Sequence, residues 1–124
     1  MTSGKIIHMS KNNQISHWEI GVPESSVEFY QSLFGWSAHE PDELNYRSAE
    51  GSGLPGGFLL SDEPFVQFYV RVEDIEDAIH KAELAGGKVI HSRRKVPDIA
   101  SWYAVITDPL GNRVGLFSEG PAKQ

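Results

Sequence analysis

Two stretches of the chain, fifty residues apart, carry the same alternation of apolar and polar positions. In the first, Trp18, Ile20 and Val22 alternate with His17, Glu19 and Gly21. In the second, Phe68, Val70 and Val72 alternate with Gln67, Tyr69 and Arg71. A period of two is that of a strand with one face buried. Each stretch leads into a helical pattern. After the first, Ser25 and Glu28 have capping-box spacing, and Val27, Tyr30, Leu33 and Phe34 fall on one helical face before Gly35, a fitting left-handed cap. After the second, Asp74 is a good N-cap and Ile75, Ala78, Ile79 and Ala82 have core spacing. Gly86-Gly87 then stops the helix. Trp18 and Phe68 are assigned to the core beneath the helices.

Short strands follow each helix. In the first half they are predicted from Trp36 to Pro41, Leu44 to Ala49 and Phe58 to Ser61. The glycine-rich loop from Glu50 to Gly57 between the last two suits a lid. In the second half they are predicted from Lys88 to Lys95, Trp102 to Thr107 and Arg113 to Glu119. Val96-Pro97-Asp98 is a turn or loop, and Asp108-Pro109-Leu110-Gly111-Asn112 is a tight turn with proline early and glycine late. The order is strand, helix, three strands, twice over. It predicts an α+β fold: two tandem βαβββ modules forming a curved mixed sheet around a cleft, with the helices outside. Residues 1–14 form a polar tail, with a short strand allowed at Lys5 to Met9. Residues 15–62 form the first module, 63–119 the second and 120–124 a tail. Asp62-Glu63-Pro64 punctuates the boundary.

Composition removes several function classes. The net charge of −6 argues against nucleic acid and against an anionic membrane surface. It permits a cationic ligand, although a charge of this size also serves plain solubility. The chain has no cysteine, which excludes disulfides, thiolate catalysis, zinc knuckles and iron–sulfur clusters. No stretch approaches the ~18 apolar residues of a membrane span, and Ile6-Ile7 is too short for a signal segment, so the cytoplasm is the expected location.

Several segments together resemble the vicinal oxygen chelate superfamily, which includes glyoxalase I, extradiol dioxygenases, fosfomycin-resistance enzymes and bleomycin-resistance proteins. They are the His17 strand, Phe29-Tyr30 with Leu33-Phe34-Gly35-Trp36, and Tyr69-Val70-Arg71-Val72-Glu73-Asp74. Ala85-Gly86-Gly87-Lys88-Val89 and Asp108-Pro109-Leu110-Gly111-Asn112-Arg113 complete the set. They cover about Ile15 to Glu119, and the variant looks most like the bacterial glyoxalase-like proteins. The resemblance implies paired βαβββ modules and a homodimer. In metal-dependent members it implies a divalent ion held by one residue from each of four strands, acting as a Lewis acid on two neighbouring substrate oxygens.

Carried over position by position, that ligand pattern falls on His17, Gln67, Gly115 and the apolar stretch Gly57-Phe58-Leu59-Leu60. One good ligand remains, where zinc, nickel, iron or manganese needs three or more. The expectation is therefore no metal and no other cofactor. A relocated divalent site at His17, Glu19 and Glu119 is the alternative.

Strand parity places His17, Glu19, Gln67, Tyr69, Arg71 and Phe117 in the cleft. Trp102 or Tyr103 joins them, and Tyr46 and the glycine-rich loop stand at its mouth. Glu19 has Arg71 and Arg113 as candidate ion-pair partners. His80 is expected in solvent on its helix, and His91 either faces the cleft or is structural. The expected function is binding of a small, partly aromatic or cationic molecule in this cleft. One alternative is a lyase, isomerase or dioxygenase that is metal-dependent with a relocated metal site at His17, or that uses His17 or Glu19 as base. The other is a protein-interaction or regulatory module.

Overall fold

The computed structural model describes residues 11–97 and 99–120. His8, the strand allowed at Lys5 to Met9, the turn residue Asp98 and the end of the C-terminal tail lie outside them. The elements are β1 (Ile15–Val22), α1 (Glu24–Phe34), β2 (Ser37–Ala38), β3 (Tyr46–Glu50) and β4 (Gly56–Leu60). They continue as β5 (Phe65–Arg71), α2 (Ile75–Leu84), β6 (Lys88–Lys95), β7 (Ser101–Thr107) and β8 (Arg113–Glu119). This is the α+β order expected from the periodicity, a strand, a helix and three strands, twice.

By contacts the chain forms two compact units, one holding residues 17–67 and the other residues 11–16 and 68–120 of those described. The ends of β1 and β5 are exchanged between them. Asn13 N–H donates to Arg71 O at 2.6 Å and Arg71 N–H to Gln14 O at 2.9 Å. These bonds hold the start of β1 in the second unit. In the first unit the Phe65 ring fills the space above Gly21.

The first unit orders its strands β2-β3-β4-β1, with β1 parallel to β4 and the other pairs antiparallel. α1 covers one face. Val27 (1% exposed) meets Ile20, Val22, Ala49 and Phe58 (0%), ringed by Trp18, Tyr30 and Trp36. The Trp18 and Phe58 rings meet edge to face at 5.6 Å, and Trp18 and Trp36 are tilted at 5.1 Å. Such pairs add roughly 0.5–1.5 kcal/mol each beyond burial. Trp18 is thus core, as its strand parity implied.

Three local expectations are corrected here. α1 starts at Glu24, so Ser25 lies inside the helix and forms no capping box; Pro23, preset at φ −68°, is the N-cap without a side-chain bond. Leu33 and Phe34 are 58% and 55% exposed. The sheet beside the last helical turn is only the two-residue β2, so Val27 and Tyr30 carry the packing instead. The glycine-rich loop is tied down: Trp18 Nε1–H donates to Ser52 Oγ at 2.8 Å, and Trp18 N–H to Pro55 O at 3.1 Å. Gly56 and Gly57 already belong to β4.

The second unit repeats the topology as β5-β8-β7-β6, with β5 parallel to β8. Asp74 caps α2 by accepting from Asp77 N–H at 3.1 Å. Ile75 and Ile79 pack on Ala104 and Leu116, with Val89, Trp102 and Ile106 around them. Phe68, expected in this core, is 41% exposed. β5 is the outer strand of this unit's sheet, and α2 lies over β6, β7 and β8. The β7–β8 turn is built on Asp108, whose carboxylate accepts from the amides of Leu110 and Asn112, both at 2.9 Å. Among the described residues no helix is long and apolar enough to cross a membrane.

Candidate functional site

Helices cover one face of each sheet, and most of the residues expected at the site fall on the other. In the first unit that face holds His17, Glu19 and Gly21 of β1, Gly57 and Leu59 of β4 and Tyr46 of β3. The register pairs Glu19 with Gly57, Gly21 with Leu59 and Tyr46 with Leu59. Gln67, 3% exposed, donates from Nε2 to Glu19 Oε1 at 2.8 Å. The Tyr46 phenol lies directly over Gly57, in the space a side chain there would need. Glu19, Gln67 and Tyr46 thus form one polar set around the buried glycine Gly57.

Tyr46 is positioned from behind. Asp42 Oδ1 accepts from Leu44 N–H at 2.8 Å and Tyr46 N–H at 3.0 Å, and Asn45 takes a left-handed φ of 61°. This tight turn launches β3 with Tyr46 on the helix-free face. Burial, then the charges of Glu19 and Asp42, push the Tyr46 phenol far above the usual tyrosine range. Its hydroxyl stays protonated and available to donate.

In the second unit Tyr69 (4% exposed), Gly115, Phe117, Tyr103 and Val105 share the helix-free face, with Tyr69 opposite Gly115 and Phe117 opposite both Arg71 and Tyr103. The Tyr69 ring sits on Gly115. Arg71 Nη1 pairs with Glu119 Oε1 at 2.6 Å. Trp102 goes to the other side: it packs beneath α2, donates from Nε1 to Gly120 O at 3.0 Å and carries the Arg93 guanidinium 5.0 Å above its ring. Of the two aromatic candidates on β7, Tyr103 is the one on the face of Phe117. His80 is exposed on α2, and His39 bonds to Glu50 at 2.7 Å.

Sequence reasoning gave Tyr46 only a peripheral role and passed over the way rings roof the strand glycines. Trp18 covers Gly56, Tyr46 covers Gly57 and Tyr69 covers Gly115. Glycine inside a strand marks such close approaches, and that was the available signal. A groove of about 430 Å³ near the start of α2 includes none of the expected site residues. Its Asp74 is spent on capping and its Asp77 pairs with Lys81 at 3.1 Å.

The glyoxalase-like domain family matches residues 19–117, and the chain belongs to it, within the vicinal oxygen chelate superfamily. A protein of Mycobacterium bovis named "Putative glyoxylase CFP32" is 29% identical over 108 residues, which cover 80% of this chain and 41% of that protein. The chain therefore spans less than half the length of this curated relative. Two solved structures share the fold. One is a glyoxalase/bleomycin resistance protein/dioxygenase superfamily member from Vibrio splendidus 12B01, with TM-score 0.59, 16% identity and coverage of 82% of this chain and 96% of that one. The other is the Mn(II)-bound glyoxalase from Novosphingobium aromaticivorans, with TM-score 0.60, 18% identity and coverage of 94% and 43%.

The family's divalent ion does not fit the residues present. Gly115 has no donor, and the Tyr69 ring already fills the space of any side chain placed there. Gly57 lies under Tyr46, while Phe58 is wholly buried beneath α1. Glu119, part of the alternative relocated site, is engaged by Arg71. Among the described residues no three His, Asp or Glu side chains gather as a metal cluster.

Proposed function

We propose that this chain binds a small molecule against the helix-free sheet faces and does so without the usual divalent metal. The observation that carries this reading is the Glu19–Gln67–Tyr46 set around Gly57. It brings together a carboxylate, an amide and a protonated phenol at the strand backbone of Gly57. A few convergent polar groups among aromatic walls are the ordinary make-up of a small-molecule site. Tyr103 and Phe117, both half-buried, supply aromatic surface of the same kind in the second unit.

A second copy of the chain is the proposed partner. Phe29, Leu33 and Phe34 leave apolar surface on α1, at 60%, 58% and 55% exposure, that association would cover. Sedimentation of the purified chain across a concentration series checks this.

Elemental analysis of untagged protein, before and after incubation with nickel, zinc, manganese and iron(II), tests the metal-free part. Near-stoichiometric retention of one ion refutes it. A ligand screen by tryptophan fluorescence, repeated on Glu19→Gln and Tyr46→Phe, tests the binding part. Ligands whose affinity is the same in both variants place binding elsewhere and overturn the assignment.

A further inference from the structure

Tyr46 reaches its place because β4 has no side chain there. In the register of β3 on β4, Tyr46 lies opposite Leu59 and Ser48 opposite Gly57. The phenol therefore crosses β4 diagonally, and its hydroxyl oxygen stands 2.5 Å from the point a Cβ on Gly57 would occupy. Gly57 is in turn the β1 register partner of Glu19. The ring thus runs along the helix-free face of the first unit from β3 towards β1. Its backbone is fully used: the amide donates to Asp42 Oδ1 at 3.0 Å, and the carbonyl accepts from the Asp42 amide at 3.0 Å. Its hydroxyl is not. Among the described residues it makes no hydrogen bond, although the side chain is half-buried. A polar group taken out of water without a partner is destabilising, and folded chains rarely keep one.

We infer that the Tyr46 hydroxyl is a specificity-determining donor, and that it takes the uncharged carbonyl oxygen of a small molecule on the helix-free face of the first unit. A carboxamide is the simplest group of this class. The inference rests on the small-molecule reading above and names the ligand's acceptor. It departs from the cationic ligand that the overall acidity permits, because a donor with no partner calls for an acceptor.

Charge and rigidity both favour a neutral acceptor over an anion. Besides burial, the phenol feels the carboxylates of Glu19 and Asp42, which make a negative oxygen at this point unfavourable and keep the proton on Tyr46. The same field opposes a ligand carboxylate or phosphate at the hydroxyl and leaves an uncharged carbonyl unopposed. Arg47, the neighbouring cation on β3, does not relieve it. As the next residue of a strand it points to the opposite face, where its guanidinium donates to His39 O at 2.7 Å and pairs with Glu24 of α1. The donor is also held in advance. The Asp42 turn fixes the start of β3 and the bed at Gly57 fixes the ring, so little freedom is lost when a ligand arrives.

The test uses three probes of one shape: benzamide, which is uncharged, benzoate, an anion, and benzamidine, a cation with no acceptor oxygen. Each is titrated into the full chain and into Tyr46→Phe, read by amide chemical shifts and by tyrosine labelled with carbon-13 at Cζ. Benzamide should move the Tyr46 Cζ resonance and the amides of Tyr46, Gly57 and Leu59. It should bind Tyr46→Phe about fivefold more weakly, the worth of one hydrogen bond. Benzoate should bind about tenfold more weakly than benzamide, and benzamidine equally to both proteins. Tyr46→Phe keeps the ring and removes only an unbonded hydroxyl, so its Tm should stay within about 2 °C of the parent. Benzamide affinity unaltered in Tyr46→Phe overturns the inference, as does benzoate binding as tightly as benzamide. A fall in Tm beyond about 4 °C would show that the hydroxyl is bonded within the chain, and overturns it too. So does the failure of all three probes to bind. In each of these cases, ligands from the fluorescence screen that weaken in Glu19→Gln would leave small-molecule binding standing.

Discussion

Adding a single methyl group at Gly115 tests the central packing feature of the second unit. A Cβ there would lie 2.6 Å from Tyr69 Cγ and closer still to two further ring atoms, well inside van der Waals contact. The ring has little room to retreat. Tyr69 is 4% exposed, and Val105, the β7 partner of Gly115, is 1% exposed. Gly115→Ala should therefore cost about 1–3 kcal/mol, the range for overpacking a filled core. At roughly 4 °C per kcal/mol for a chain of this size, Tm should fall by about 4–12 °C. Tyr69→Ala alone should cost about 3–5 kcal/mol, as the loss of a buried aromatic ring does. In the double variant the clash is gone, so its cost should not exceed that of Tyr69→Ala, leaving a coupling of about 1–3 kcal/mol. Urea unfolding followed by fluorescence of the three tryptophans measures all three variants. The midpoint should move without a change in slope. A Gly115→Ala cost below about 0.5 kcal/mol, or strictly additive costs, would refute the assignment of Tyr69 to that space. By the same geometry, Gly115→Glu is accommodated only in a Tyr69→Ala background.

Further outcomes follow from the first unit and from β6. The Tyr46 phenol should remain protonated where ordinary tyrosines, with pKa about 10, have ionised. Glu19→Gln should lower its midpoint without bringing it to the ordinary value, because burial is the larger cause; absorbance at alkaline pH reads this. The unfolded chain releases that proton near pH ~10 and the folded chain does not, so Tyr46 makes stability fall as pH rises past ~10. His91 should titrate below the ordinary ~6.5, seen in its imidazole proton shifts. The unfolded state then binds the proton first, so stability is full above ~6.5 and declines as pH falls from there towards the lowered native pKa. Arg94→Gln should raise that pKa, and an unchanged value would remove Arg94 as a cause. Trp18→Phe deletes the bond to Ser52, costs about 1 kcal/mol, and should speed proteolytic nicking between Gly51 and Gly53. Equal nicking rates would show that the indole does not restrain the loop.

The sequence by itself determined the doubled strand–helix–three-strand order, the buried faces of β1 and α2, the Asp74 cap and the limits of β6 and β8. These depend on alternation, helical periodicity and turn chemistry, which are local properties of consecutive residues. Glu19 and Gln67 could be placed on one kind of face for the same reason, from strand parity alone. Their hydrogen bond could not, because it joins residues forty-eight positions apart. Tertiary structure alone decided that Leu33, Phe34 and Phe68 stand exposed, since apolar spacing says which residues share a face but not whether a neighbour reaches it. It also decided between Trp102 and Tyr103. Both are aromatic and adjacent, and only the pairing of β7 with its neighbours tells which one lies beneath α2. The register of β6 against β7 slips twice, between Val89 and His91 and between His91 and Arg94, and these bulges belong to the same class. One extra residue in a strand reverses which side every later side chain occupies. Whether His91 and Arg94 join one face is therefore settled by pairing across strands, where sequence periodicity carries no information.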